Sequence, residues 1–307
     1  MQEYIGKVKM NYDAYCGEDL YSDGDVEDEL LEIVKNSNDY NKSIMEKASW
    51  PILYHLSEVR ENILSWYPFE KNSSVLEIGA GCGAVTGALL KKCGRVVSID
   101  LSKRRCLINA NRHRDADNLE IMVGNFQDIK NNLDEKYDYV TLIGVFEYAD
   151  LYISGEKSQH FFLDMISELL KPEGKIIIAI ENRLGLKYFA GCKEDHLGQY
   201  FTGIENDYDD KGVRTFSKRE LRKLLEESGF KHYDFYYPYP DYKLPEVIYS
   251  DLHMPRRGEL YNNIRNFDMD RYVLFDESKA FDSIIDAELF DEFSNSFLIV
   301  IDNKVDE

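Results

Sequence analysis

Cysteine is scarce in this chain, five in 307 residues, and no two form a C-x-x-C pair. Cys16, Cys82, Cys93, Cys106 and Cys192 are scattered and odd in number, which argues against a disulfide framework and against a cysteine zinc site. No metal is expected. Long apolar runs are missing too: Ile176–Ile180 and Phe297–Ile301 are strand-sized, far short of a bilayer span. The start, Met1-Gln2-Glu3-Tyr4, lacks the charged-then-apolar pattern of a secretory leader, so a cytoplasmic address is expected. Positive charge is in short supply, with 37 Lys and Arg against 57 Asp and Glu, a formal net charge of −20. Such a field repels phosphate backbones, so nucleic acid is not expected as a partner. Neither internal repeats nor low-complexity tracts occur.

What is present begins at Ser74-Val75-Leu76-Glu77-Ile78-Gly79-Ala80-Gly81-Cys82-Gly83, followed by Val96-Val97-Ser98-Ile99-Asp100. An apolar strand runs into a glycine turn and a helix starting near Ala84; a second strand ends on a carboxylate. Glycines at alternate positions let the backbone pass close to a ligand. The helix start offers N–H groups to an anion. Asp100, followed by Leu101, is placed to accept hydrogen bonds from ribose hydroxyls. A dinucleotide turn reads G-x-G-x-x-G, whereas Ala84 stands where its third glycine would fall. Glu77 would repel a pyrophosphate but suits an α-amino group. Ammonium, carboxylate and ribose together describe S-adenosylmethionine, with a nicotinamide cofactor as the competing ligand.

From here the chain resembles the class I S-adenosylmethionine-dependent methyltransferases. Ile121-Met122-Val123-Gly124-Asn125-Phe126 is similar to the family's third strand, and the resemblance places Asn125 and Phe126 at the adenine. Tyr137 to Gly144 resembles the fourth strand, whose end, at Gly144, faces the reactive sulfonium. Leu169-Leu170-Lys171-Pro172-Glu173-Gly174-Lys175 looks like the family's "LKPGG" turn before a fifth strand, Ile176–Ile180. Phe230 to Tyr237 and Ser296 to Ile301 fit strands six and seven. The resemblance implies an α/β, Rossmann-like, seven-stranded sheet with helices on both faces. It also implies a cofactor site built from Glu77, Gly79, Ala80, Gly81, Gly83, Asp100, Leu101, Asn125, Phe126 and Gly144, with S-adenosylhomocysteine as product.

Four regions are expected: an N-terminal helical cap (1–69), the core (70–240), an insertion or lid (241–294) and the last core strand (295–307). Residues 1–24 read as irregular. Asp25 is a candidate cap for a helix from Val26 to Lys35, and Ser43-x-x-Glu46 has the form of a capping box. Pro51 suits a helix start, with Ile52, Leu56, Val59 and Ile63 at helical spacing as far as Trp66. Ser217-x-x-Glu220 caps another helix, ended by Gly229. Two connections exceed a minimal core, Asn182 to Thr215 and about Pro238 to Ser294, and connections of that length usually carry function.

Methyl transfer from a sulfonium depends mainly on alignment, so the acceptor site leaves fewer marks than the cofactor site. After the fourth strand the chain reads Gly144-Val145-Phe146-Glu147-Tyr148, without the Asn/Asp-Pro-Pro-aromatic signature of the family's adenine and glutamine methyltransferases and without a Pro-Cys pair. An oxygen acceptor remains. A hydroxyl is helped by a general base, for which Glu147 and His196, and beyond them His160 and Glu181, are candidates. A carboxylate needs cations instead, and Arg183, Lys187, Arg214, Lys243, Arg256 and Arg257 lie in the two long connections. Tyr188 and His196 belong to the same candidate acceptor-binding set. Of the aromatic run from Phe235 to Tyr242, Phe235 and Tyr237 are expected in the core, Tyr239 and Tyr242 near the cleft. The insertions resemble those of methyltransferases of bacterial glycan biosynthesis and of stand-alone enzymes that esterify the C-terminal carboxylate of ribosomally made modified peptides such as lanthipeptides. That resemblance and the basic residues favour the peptide carboxylate, with a sugar hydroxyl next and a non-catalytic S-adenosylmethionine-binding protein third.

Overall fold

The computed structural model describes residues 2–19, 21–153, 157–208, 212–263 and 269–304. It divides into two compact units, one of residues 1–143 with 165–176 and the other of residues 144–164 with 177–307, a division that differs from the four regions read from the sequence. Strands alternate with helices in the order of an α/β Rossmann-like fold.

In the first unit the strands are β1 (Gln2–Ile5), β2 (Val8–Asn11), β3 (Ser74–Ile78), β4 (Arg95–Asp100), β5 (Leu119–Val123) and β6 (Tyr137–Ile143), lying in the order β1-β2-β5-β4-β3-β6. β3 pairs in parallel with both β4 and β6, and Val75, Leu76 and Ile78 are buried, as a strand covered on both faces requires. β7 (Leu170–Glu181) carries the chain from the first unit into the second, and begins where the sequence suggested a turn. In the second unit β7 is followed in strand order by β10 (Ser296–Asp302), β8 (Tyr233–Tyr239) and β9 (Val247–Ser250). β10 runs antiparallel to β8, as the seventh-strand resemblance implied.

Among the described residues ten strands stand where seven were expected. β9 lies within the long connection after β8. β1 and β2 form an antiparallel hairpin from residues read as irregular, and β2 adds in parallel to β5. Gly6, at φ +60, makes the turn so close to the backbone of Arg114 that a β carbon would lie 2.2 Å from the Arg114 carbonyl oxygen.

Helix boundaries follow local hydrogen bonding more closely than apolar spacing. The helix Val26–Asn36 forms, but Asp25 makes no side-chain cap bond. Asn41–Lys47 starts two residues before Ser43, so the expected capping box does not exist. The single helix expected from Pro51 to Trp66 is broken. Ser57 accepts from the Val59 N–H, ending Trp50–Leu56 and restarting the chain as a 3-10 turn, Glu58–Glu61, and a last turn, Asn62–Ser65. Ser217 and Glu220 do cap Lys218–Glu227 reciprocally, and Gly229 at φ +87 follows it.

Candidate functional site

The glycine turn after β3 is built from backbone conformations that side chains disfavour. Gly79, Gly81 and Gly83 have φ of 71, 53 and 75. Gly81 and Gly83 have different neighbours. A β carbon on Gly83 would lie 2.3 Å from Asn109 Oδ1 and 3.2 Å from Asn109 Cα, so this glycine lets the helix Lys103–Arg112 pack against the turn. A β carbon on Gly81 would meet nothing nearer than Arg105 Nη1 at 3.9 Å, which leaves open space beside the turn.

The turn holds itself in place. The N–H groups of Gly79 and Ala80 both donate to Ile99 O, and Gly83 N–H donates to Ala80 O. The helix begins at Thr86, two residues past the start near Ala84 read from the sequence. Asp100 ends β4; its Oδ2 accepts from Gly81 N–H at 2.8 Å and its Oδ1 from Ser102 N–H at 2.9 Å. Burial raises its pKa, and the Arg105 guanidinium opposes that rise. Each carboxylate oxygen has a second lone pair for a ligand hydroxyl. Beneath the turn, Glu77 Oε2 accepts from Thr86 Oγ1 and Ser98 Oγ, both at 2.7 Å, and burial pushes Glu77 up to about 7 against those two bonds. Open space at Gly81 beside a ribose-competent carboxylate fits the sugar and amino-acid ends of S-adenosylmethionine. Leu101 is half-buried just past Asp100. Asn125 Oδ1 caps the helix Phe126–Lys130 by accepting from Gln127 N–H, and Phe126 is buried.

Beside this turn lies a feature the sequence reading missed. Residues 12–19 and 21–27 lie against the tips of β4 and β5. Ala14 O comes so near Gly124 that a β carbon there would sit 2.6 Å away. Asp19 accepts from Lys103 N–H at 2.7 Å, Arg104 N–H at 3.1 Å and Ser102 Oγ at 3.1 Å, capping the helix from outside. Arg105 pairs with Asp23 and with buried Glu27, the latter at 2.9 Å, while Asp23 also meets His55 Nε2 at 2.9 Å. Acids at 19, 23 and 27 facing the Arg104–Arg105 pair were the available signal.

The second unit gathers a buried set of ionisable groups. Gly144, at φ +69, turns the chain after β6, with Tyr242 Oη 2.6 Å from where its β carbon would be. Glu147 follows on the short turn Phe146–Tyr148; it is 1% exposed and neither carboxylate oxygen has a hydrogen-bond partner. Glu181, the last residue of β7, is fully buried. His196 comes from the following connection. Its Nε2 is 3.3 Å from Glu181 Oε2 and 3.9 Å from Glu147 Oε1, and its Nδ1 is 3.0 Å from Tyr148 Oη. Burial, then the neighbouring Glu181, raises Glu147 to about 8. Burial works the same way on Glu181, but the Lys243 ammonium 2.9 Å from its Oε1 and the His196 ring pull it well below the usual carboxylate range. Burial disfavours the His196 imidazolium, yet Glu181 outweighs it and brings the ring up to about 9.

Most of the cations expected to hold an anion are already paired. Asp195 holds Lys187 at 2.8 Å, Lys243 at 2.5 Å and the Tyr188 hydroxyl at 2.5 Å. Arg183 bonds Glu220 through two nitrogens and donates to Gly203 O. Arg214 donates to Asn206 Oδ1 at 3.3 Å and lies 3.9 Å from Glu220. Arg257 pairs with Asp282 and Asp286, and Arg256 is exposed. His160 pairs with Glu227 at 3.4 Å, away from the trio. The structure thus joins Glu147, Glu181 and His196 but does not assemble the arginines into an anion cradle. The tyrosines expected near the cleft, Tyr239 and Tyr242, are buried like Phe235 and Tyr237. Tyr239 bonds Asn263 Oδ1 at 2.9 Å, and Tyr242 closes against Gly144.

Comparison with known proteins gives the class. A methyltransferase-domain family model matches residues 76–176. The ribosomal RNA small subunit methyltransferase A of Borreliella burgdorferi is 23% identical over 230 residues, 74% of this chain and 78% of the relative. The mitochondrial ubiquinone biosynthesis O-methyltransferase of Dictyostelium discoideum is 28% identical over 130 residues, 38% of each chain. Among solved structures, a SAM-dependent methyltransferase from Archaeoglobus fulgidus is similar at a TM-score of 0.48 and 14% identity, covering 80% of this chain and 92% of its own. Residues 76–176 therefore match a methyltransferase domain, the class whose methyl donor is S-adenosylmethionine. Among the described residues, no helix is long and apolar enough to cross a membrane.

Proposed function

We propose that this enzyme methylates a hydroxyl oxygen of a small biosynthetic intermediate, best a sugar-type acceptor, and that Glu147 takes the acceptor's proton. When bound, S-adenosylmethionine supplies an electrophilic methyl carbon, which gains a bond to the acceptor oxygen as its bond to sulfur breaks and leaves S-adenosylhomocysteine. Gly81 gives the donor room at the turn, Glu77 suits its amino group, and Asp100 accepts from its ribose. The resemblance adds Asn125 and Phe126 at the adenine and Gly144 at the sulfonium. Glu147 lies three residues past Gly144 in the chain. Its carboxylate accepts the hydroxyl's hydrogen bond and then its proton; Glu181 and Tyr148 hold His196 beside it.

The observation that carries this reading is the unpartnered, buried carboxylate of Glu147. Leaving such a group without a partner costs several kcal/mol, roughly, unless a ligand completes it. A peptide carboxylate, the acceptor favoured by the sequence, is less suited: it would meet buried acids, while Arg183, Lys187, Lys243 and Arg257 are held in ion pairs. The ribosomal RNA relative raises a nucleic-acid acceptor, against which the net charge of −20 weighs.

The test offers the enzyme panels of sugar hydroxyls and peptide carboxylates and reads a one-methyl mass gain, then repeats the active reaction with Glu147→Gln. Sugar methylation is expected, with kcat lowered about a hundredfold or more in the variant and donor affinity unchanged. Methylation of peptide carboxylates alone, or an undiminished kcat, would contradict the reading.

A further inference from the structure

We infer that Glu147, Glu181 and His196 form a binding site for a divalent cation. One donor atom from each, two carboxylate oxygens and an imidazole nitrogen, lies within 4.8 Å of the others. His196 Nε2 is 3.3 Å from Glu181 Oε2 and 3.9 Å from Glu147 Oε1. Ligands each about 2.0–2.2 Å from one ion are separated by roughly 3–4 Å, so these spacings admit an ion among the three atoms. A hydrogen bond between Glu147 and His196 would need a much shorter separation than 3.9 Å.

Two observations independent of that spacing point to a cation. Glu147 is 1% exposed with both oxygens unpartnered, so it is a buried ligand without a counterpart. The surrounding charge is also unbalanced. With Glu147 as a carboxylate, the form that takes up a cation, the acids Glu147, Glu181, Asp195 and Asp241 outnumber by one the ammoniums of Lys187 and Lys243 and a charged His196. Glu194 shows the same surplus, with Oε2 accepting from the His196 and Leu197 N–H groups and Oε1 unpartnered.

The outer contacts suit coordination. Lys243 holds Glu181 Oε1, leaving Oε2 toward the histidine. Tyr148 Oη lies 3.0 Å from His196 Nδ1; a proton donated from Nδ1 to that oxygen leaves the Nε2 lone pair facing inward, the arrangement that outer contacts impose on metal-bound histidines. Two carboxylates and one imidazole suit a divalent ion of the manganese or zinc kind and leave coordination positions for an acceptor oxygen. Its role rests on the hydroxyl reading above: an ion bound through Glu147 Oε1 would hold the acceptor hydroxyl while Glu147 Oε2 remains for the proton. No metal signal was legible in the sequence because the three ligands come from separate segments without a recognisable spacing.

The test titrates Mn²⁺ into the chelator-treated full chain and follows loss of the free-ion electron paramagnetic resonance signal, with a parallel Zn²⁺ titration against a chromophoric chelator. One ion per chain is expected, with affinity falling at least about thirtyfold in Glu147→Gln and in His196→Gln, both checked for retained fold by circular dichroism. Failure of both metals to bind, or equal binding in the variants, would overturn the site. Cation binding without sugar methylation would remove the function reading and leave the site. Sugar methylation unaffected by chelator, with no ion bound, would do the reverse.

Discussion

Asn109 Oδ1 lies 2.3 Å from the point a β carbon on Gly83 would occupy, and Asn109 Cα lies 3.2 Å from it. Helix and turn are therefore packed to the limit that glycine allows, whereas Gly81 faces open space.

The two glycines should respond differently to alanine. Both pay for a positive φ, about 1–2 kcal/mol. Gly83→Ala must also displace the helix backbone, so its loss of stability should be larger, about 2–4 kcal/mol in all. Gly81→Ala should remain close to the wild-type melting temperature but bind S-adenosylmethionine about tenfold or more weakly, because its new methyl group enters the ligand's space. Denaturant melts and calorimetric titration separate the two effects; an equal stability loss in both variants would contradict the assignment.

Asp19 gives a prediction in pH. Burial tends to raise its pKa, but the Lys103 and Arg104 N–H groups, with Tyr15 and Ser102, outweigh this and lower it from the ordinary 3.8. A carboxyl depressed in the folded state stabilises above its unfolded pKa, and that contribution fades as pH falls through the folded value. The stability difference between wild type and Asp19→Asn should be constant above about pH 5 and shrink steadily below pH 4, roughly. Parallel urea melts from pH 7 to pH 3 measure it. A difference that grows on acidification would show that Asp19 is not held as a carboxylate.

These two regions also mark what the sequence could and could not reveal. The turn Gly79–Gly83 and the strand ending at Asp100 were readable because backbone approach and strand burial restrict residue type at each position. The Ser217–Glu220 box was readable because both partners lie within one turn. Residues 2–11 were not: their two four-residue strands are too short for a clear alternation, and β2 finds its partner in distant β5. Ser57 looked compatible with a helix until its own side chain bonded Val59 N–H. Glu147, Glu181 and His196 were each visible as possible bases, but their convergence depends on the path of the chain after β7, which no periodicity encodes. Arg183, Lys243 and Arg257 misled for the same reason, since their acidic partners lie 25 or more residues away in sequence.

Arg183 sits at the centre of that correction. It bonds Glu220, which also accepts from Ser217 N–H in the helix cap, at 2.8 Å. Arg183→Ala should therefore lower stability by about 1–3 kcal/mol and leave the acceptor's KM within about threefold. A rise in KM well beyond that at unchanged stability would restore Arg183 as an acceptor-binding cation.

The central claim is that the methyl donor sits at the tips of β3 and β4, and calorimetric titration of S-adenosylmethionine into wild type and Asp100→Ala tests it most directly. One donor should bind per wild-type chain, and the variant, folded by circular dichroism, should bind at least about fiftyfold more weakly. Equal affinity in the two proteins would place the donor elsewhere.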